Sequence, residues 1–324
     1  MKQLYSSKMM MATALSVFAS TLSASEQVKN AKDAAPENDE QLLYMVPAIV
    51  SAKQRTPIDG SSTSAVPISQ SKPGPENTGP AGVLTPHDGT IKVTENGALI
   101  ENLSIQGCIQ IEASDVTIRN VRIDCSGLYA IRVDDDVSNV LVEDTEMFNM
   151  TSSGVLGSNF TLRRVNIHDS GGDAVKPSRN VLIEQSWFHR LGSKVGSHSD
   201  GVQMVSGGNV IVRGNNIDMP PLTGFTNSQC LIIQTNFGPI DNVRIEGNWL
   251  NGGGWCVQVN DKGQGFGSPT NVTIKNNRFG GDCAFGTILV RGEDADTKVE
   301  GNIFEPTGGV IGTDVSTSTC RNDL

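Results

Sequence analysis

The chain has 324 residues, a formal charge of −10 and only 5% aromatic residues. An acidic chain of this kind speaks against nucleic acid as a partner, and no apolar run reaches the length of a membrane span. It does not exclude an anionic polymer, because basic residues can collect along one groove.

Residues 1–25 have the order of a secretory signal: Lys2 and Lys8, an apolar stretch from Met9 to Ala19, then Ser23, Ala24 and Ser25. The apolar stretch is too short to cross a bilayer, so the expectation is cleavage and export, to the periplasm or beyond, with no membrane partner. Residues 26–85 are rich in Ser, Pro, Ala, Glu and Gly. They lack sustained periodicity except from Leu42 to Val50, and read as a low-complexity linker.

From residue 86 the texture changes to short apolar strands separated by Gly, Asn, Asp and Ser. An eight-residue phrase recurs with apolar residues at alternate places. It is A-L-I-E-N-L-S-I at 98, V-T-I-R-N-V-R-I at 116, V-L-V-E-D-T-E-M at 140 and F-T-L-R-R-V-N-I at 160. Five more copies begin at Val181, Val210, Val243, Val272 and Thr297. Asn or Gly often fills the fifth or sixth place, where a strand must bend. A second short strand follows most copies, as in A-I-R-V at 130, A-V-K at 174, G-V-Q-M at 201 and C-V-Q-V at 256. Two or three short strands per repeat of 18 to 33 residues define one coil of a parallel β-helix, an all-β solenoid over residues 86–324 with a C-terminal tail.

The repeated V-x-I-x-N-x-x-I with its G-G-x-A/G-V-x continuation resembles the right-handed, single-stranded parallel β-helices of the pectate-lyase-like superfamily. The resemblance covers about two thirds of the chain. It implies a carbohydrate-directed protein, because that fold carries lyases, hydrolases, epimerases and binding domains. Its lyases use Lys, Arg, His or Tyr bases, often with calcium, on pectate, alginate, related uronates and biofilm polysaccharides.

Six cysteines in an exported chain favour disulfides. Cys108 and Cys125 fall in neighbouring coils, Cys230 and Cys256 open equivalent second strands, and Cys283 can meet Cys320. Burial of some as reduced core thiols is an equal alternative.

In a parallel coil, equivalent residues stack about 4.8 Å apart. Aligning the phrases therefore sets His168 beside His189, Asp173 beside Asp200, and Lys176 beside Gln203. His198 belongs to the longer loop of the second copy. The outward column is expected to run Gln110, Arg132, Leu156, Lys176, Gln203, Gln234 and Gln258. This predicts a groove in which Lys176, His168, His189, His198 and Asp200 carry catalysis. Arg132, Asp173, Arg190, Gln203, Gln234 and Trp255 would bind an anionic polysaccharide.

Such a set suits β-elimination from a uronate: a cation neutralises the carboxylate, a base takes the neighbouring proton, and an acid protonates the leaving oxygen. Lys176, Arg190 or a bound Ca²⁺ would neutralise, a histidine or Lys176 would be the base, a second histidine would be the acid, and Asp200 would orient His198 or His189. The string G-S-H-S-D-G-V-Q ending at Gln203 is similar to one found in secreted β-helix proteins, and that similarity is what implies roles for His198 and Asp200. Asp173 and Asp200, facing one another across adjacent coils, would accommodate either a lysine or a Ca²⁺ between them as metal ligands. The resemblance leaves Ca²⁺ as one cofactor option, although the dense carboxylate cluster of pectate lyases is absent from the sequence. A C5-epimerase would share the proton abstraction. A glycoside hydrolase using Asp173 and Asp200 and a non-catalytic glycan- or matrix-binding protein are the remaining readings. The polygalacturonase set of Asn-Thr-Asp, Asp-Asp and Gly-His-Gly is not present, which lowers the hydrolase option. A monomer is expected by default.

Overall fold

A computed structural model describes residues 71–194, 196–225, 227–292, 295–311 and 320. The stretch read as a signal, most of the stretch read as a linker, and Leu42 to Val50 lie outside the described residues. The rest is a right-handed parallel β-helix. Each coil has three faces. In one coil these are Phe160–Arg163, Asn166–His168 and Asp173–Pro177. The first two faces form one continuous sheet, and the third is a separate sheet of nine strands paired in parallel.

The corner between the first two faces is set by the fifth residue of the phrase. All nine copies have positive φ there: Asn102, Asn120, Asp144, Arg164, Gln185, Gly214, Gly247, Asn276 and Gly301. A single left-handed residue turns a strand sharply without spending a loop, and Asn, Asp and Gly adopt it at least cost. The next residue then points into the core. In the early coils it is Val121, Thr145 and Val165; from Ser186 onward it is Asn215, Asn248, Asn277 and Asn302. These asparagines are fully buried and form a ladder. Asn248 Oδ1 accepts from Asn215 N and Nδ2, and Asn248 Nδ2 donates to Asn277 Oδ1 and to Val212 O, each at 2.9 to 3.0 Å. Each amide thus pairs the coil before it with the coil after it, which is how a polar side chain becomes tolerable in an apolar column.

A second left-handed position precedes the phrase at Asp115, Asn139, Asn159, Asn180, Asn209, Asn242 and Asn271. Here the side chains point outward and hydrogen-bond along the axis, as from Asn180 Nδ2 to Asn159 Oδ1 at 2.8 Å.

Disulfides join Cys108 to Cys125 and Cys283 to Cys320. Cys230 and Cys256 are free, buried thiols. Each donates to a carbonyl of the adjoining turn, Asn251 O and Gly252 O, at 3.3 Å. For this pair the reduced-core alternative applies, and burial pushes the Cys230 thiol up.

Residues 71–84, inside the stretch read as linker, lie lengthwise over the second face. Asn216 Nδ2 donates to Pro73 O, Gly79 N to Arg164 O, and Ala81 N to Asn120 Oδ1. The segment then enters the first strand, Thr85–Asp88, paired with Leu103–Gln106.

Replacing Asn248 by Ala strands donors of Asn215 and the carbonyl of Val212 in the core. Each buried group left unpaired costs about 1–3 kcal/mol, so Asn248→Ala should destabilise by about 3 kcal/mol in urea unfolding. A loss below about 0.5 kcal/mol, the range of an ordinary surface change, would show that the ladder does not hold these coils.

Candidate functional site

The third face positions the acids. Val175 pairs with Val202, which sets Asp173 level with Asp200 and Lys176 level with Gln203. Strict alternation from Val175 would turn Asp173 inward. The strand begins at Asp173, and alternation fails at the corner. The next places, Gly154, Ala174, Gly201, Cys230 and Cys256, are small and fully buried or nearly so. A Cβ on Gly154 or Gly201 would strike Ile167 or Ile217 from the second face. Two successive residues therefore face inward, Ala174 and Val175, and the carboxylate before them swings to the outward Lys176.

The result is a linked row. Asp173 Oδ2 lies 3.1 Å from Lys176 Nζ, and its Oδ1 accepts from Asp200 N at 2.7 Å. Asp200 Oδ1 accepts from Gln229 N at 2.9 Å, and its Oδ2 from Gln203 Nε2 at 3.0 Å. Lys176 Nζ also reaches Ser152 Oγ at 3.3 Å. Both acids are 2% exposed or less. Burial pushes Asp173 up despite the adjacent ammonium, because desolvation of the carboxylate outweighs one ion pair. Asp200 is pushed up to about 7, first by burial and then by the charge of Asp173. His198 stands at the exposed rim, its Nδ1 3.2 Å from Ser228 Oγ, and its charge pulls against the upward shift of Asp173.

His168 and His189 pair in register as expected, but on the second face, away from the sheet that carries Lys176. Their rings stack at 5.1 Å, with Phe148 5.4 Å beyond His168 and Trp187 3.6 Å from His189. His168 Nε2 meets Glu146 Oε1 at 3.0 Å and its Nδ1 meets Asp169 Oδ2 at 2.7 Å. Burial lowers the affinity of His168 for a proton, yet the two carboxylates outweigh it and the net shift is upward. Glu146 is held down at about 2, by the His168 bond first and by Arg122 as well. Burial and the charge of His168 push His189 down to about 4. Arg190 is engaged with Asp169 at 2.8 to 2.9 Å and lies over the Phe225 ring. The pair of histidines and Arg190 thus belong to a second cluster, and their contacts run to Glu146, Asn166, Asp169 and Trp187 rather than to the acid row. Glu146 and Asp169, which define that cluster, carried no repeat or motif signal; only register shows them.

The outward column holds from Gln110 through Arg132 and Leu156 to Lys176, and from Gln203 to Gln258. Between Gln203 and Gln258 it contains Ile232, not Gln234. An extra residue opposite Ser199 and Asp200 shifts that strand, and Leu231 must sit inside between Val202 and Val257. Gln234 lies two residues further along and is buried. Arg132 is exposed, 3.5 Å from Asp134. Trp255 continues the acid row through Gln229, with its ring over Gly286.

Calcium does not fit between Asp173 and Asp200. Ca²⁺ takes six to eight oxygens, whereas the two buried carboxylates supply four and the Lys176 ammonium already holds the place beside Asp173.

Residues 87–238 match the family model of the right-handed β-helix region. No curated protein matches the chain. Among solved structures it is similar to the A-module of a mannuronan C-5 epimerase from Azotobacter vinelandii, at 13% identity and a TM-score of 0.49, over 67% of this chain and 58% of that module. It is also similar to an alginate lyase from Paenibacillus, at 15% identity and 0.35, over 66% and 84% of the two chains. A third is the catalytic domain of a GH87 α-1,3-glucanase bound to nigerose, at 12% and 0.39, over 70% and 60%.

A carboxyl that binds its proton more tightly when folded stabilises the fold while protonated and loses that stability as pH rises. For Asp200 the window runs from about pH 4, its unfolded range, to about 7. The urea midpoint should fall between pH 4.5 and 7.5, and Asp200→Asn should flatten that fall. An unchanged slope in the variant would show that Asp200 ionises normally.

Proposed function

We propose that the protein is an exported enzyme that cleaves a uronic-acid polysaccharide by β-elimination on its third face. The observation that carries this reading is the row formed by Asp173, Lys176, Asp200 and Gln203, with His198 at its rim. Lys176 is an ammonium fixed by Asp173 at the outward surface, suited to pair with the substrate carboxylate. His198, exposed at the rim beside Ser228, takes the proton from the carbon bearing that carboxylate. The electron pair forms the carbon–carbon double bond as the bond to the glycosidic oxygen breaks. Asp200, titrating near neutrality, supplies the proton to that oxygen. Arg132 and Trp255, on the same face, extend the contact along the polymer.

The hydrolase reading is supported by one feature. Asp173 and Asp200 sit on adjacent strands, about 4.8 Å apart by strand spacing, near the carboxyl separation of about 5–5.5 Å used by retaining glycosidases. An epimerase would use the same base without cleavage.

A panel of pectate, alginate and biofilm polysaccharides separates these readings. Lyase action gives unsaturated, ultraviolet-absorbing ends; reducing ends without that absorbance would replace elimination by hydrolysis, and binding without new ends would leave a glycan-binding protein. A chelator should leave the rate unchanged. Lys176→Ala and His198→Ala should each lower turnover by about 100-fold or more, the scale of a lost acid–base group, with a cooperative urea transition retained. His168→Gln and His189→Gln should stay within about threefold of the parent, below that scale; a loss like that of Lys176→Ala would bring the second-face cluster into the mechanism.

A further inference from the structure

The second face carries a recess that the acid row does not use. Trp249 points outward from its strand, between Asn216 of the preceding coil and Arg278 of the next. The lengthwise segment passes beside it, tied by Pro73 O to Asn216, and brings Lys72 to its edge. Lys72, Trp249, Asn251, Gly280 and Glu305 line a cavity of about 360 Å³. That is the low end of the range for small-molecule sites, enough for one or two sugar units.

Its chemistry is mixed in a specific way. Trp249 is half-buried, so one part of the indole is packed and another part faces the cavity. Among the described residues the Lys72 ammonium has no carboxylate partner, although the chain as a whole is acidic. Glu305 is exposed, with Arg278 4.0 Å away. Asn251 is not free to rotate: its Nδ2 donates to both Asp218 and Asp282 at 2.9 Å, and its Oδ1 accepts from Asp282 N at 3.2 Å. A Cβ on Gly280 would strike the Asn251 side chain, so the glycine allows that wall to approach the backbone. An aromatic wall, a free cation, an acceptor and a rigid rim are the complement of a pyranose that bears a carboxylate. The C–H face packs on the indole, the carboxylate meets the ammonium, and a hydroxyl donates to Glu305.

We propose that this recess is a second saccharide-binding site, taking one acidic sugar unit, on a different face from the acid row. It does not depend on which reaction the third face performs. It would hold the protein on its polymer while the other face engages a separate stretch of chain.

The test is calorimetric titration of the mature protein carrying Lys176→Ala, which weakens the third face, with tetramers of mannuronate and of galacturonate as probes and a glucose tetramer as the neutral control. One uronate tetramer should bind, and adding Trp249→Ala or Lys72→Glu should weaken it at least tenfold, whereas Lys72→Arg should restore it. Lys72 is exposed, so its substitution does not threaten the fold if removal of the indole does. Turnover of short substrates by protein carrying only Lys72→Glu should be unchanged. Three results would each overturn the proposal: no binding of either uronate by the Lys176→Ala protein, undiminished binding after Lys72→Glu, or equal binding of the neutral tetramer.

Discussion

The left-handed residue at the fifth place of each phrase is the constraint on which everything else rests. It turns the chain at the same point in every coil, so the coils are superposable and their strands can pair in register. Once they do, a residue's neighbours along the axis are fixed by its place in the phrase, not by its distance in sequence. Every function considered for this chain depends on that conversion, because Asp173 and Asp200 are 27 residues apart in sequence and directly linked in space.

The interior solves the same geometric problem with two chemistries. Early coils fill the inward place after the bend with Val121, Thr145 and Val165, whereas later coils use a continuous run of asparagine. An amide there is acceptable only if the coils on both sides supply partners, so it fixes register more strictly than valine does. The strict part of the helix thus begins just after the coils that hold Lys176 and Asp200, and it underlies the coils that carry Trp249 and Trp255.

The repeat was legible in the sequence because it is written in residue type: apolar alternation for the strands, Asn, Asp or Gly for the bends. Adjacency followed directly, and His168 with His189, Asp173 with Asp200 and Lys176 with Gln203 are neighbours as the phrases predict. Facing was harder to read. Alignment says which residues share a level but not which face they occupy, and the turn from Asp169 to Gly172 separates the histidines from Lys176. The small residues Ala174 and Gly201 let two successive positions face inward, so simple alternation does not carry through to Asp173. A single inserted residue displaced Gln234 from the column. Hydrogen-bond partners such as Glu146 and Asp169 left no trace in the repeat, since outward positions on the second face vary freely.

The segment over the second face bears on how such a helix comes apart. A stack of coils in which each touches only its neighbours can fray from either end, one coil at a time. Here the chain just before the first strand is bonded to Asn120 near the start of the helix and to Arg164 and Asn216 in coils far along the axis. Peeling the first coil therefore also pulls on contacts in coils well beyond its neighbour. The lengthwise tie makes the amino-terminal end a poor place to begin unzipping and couples coils that share no sheet contact.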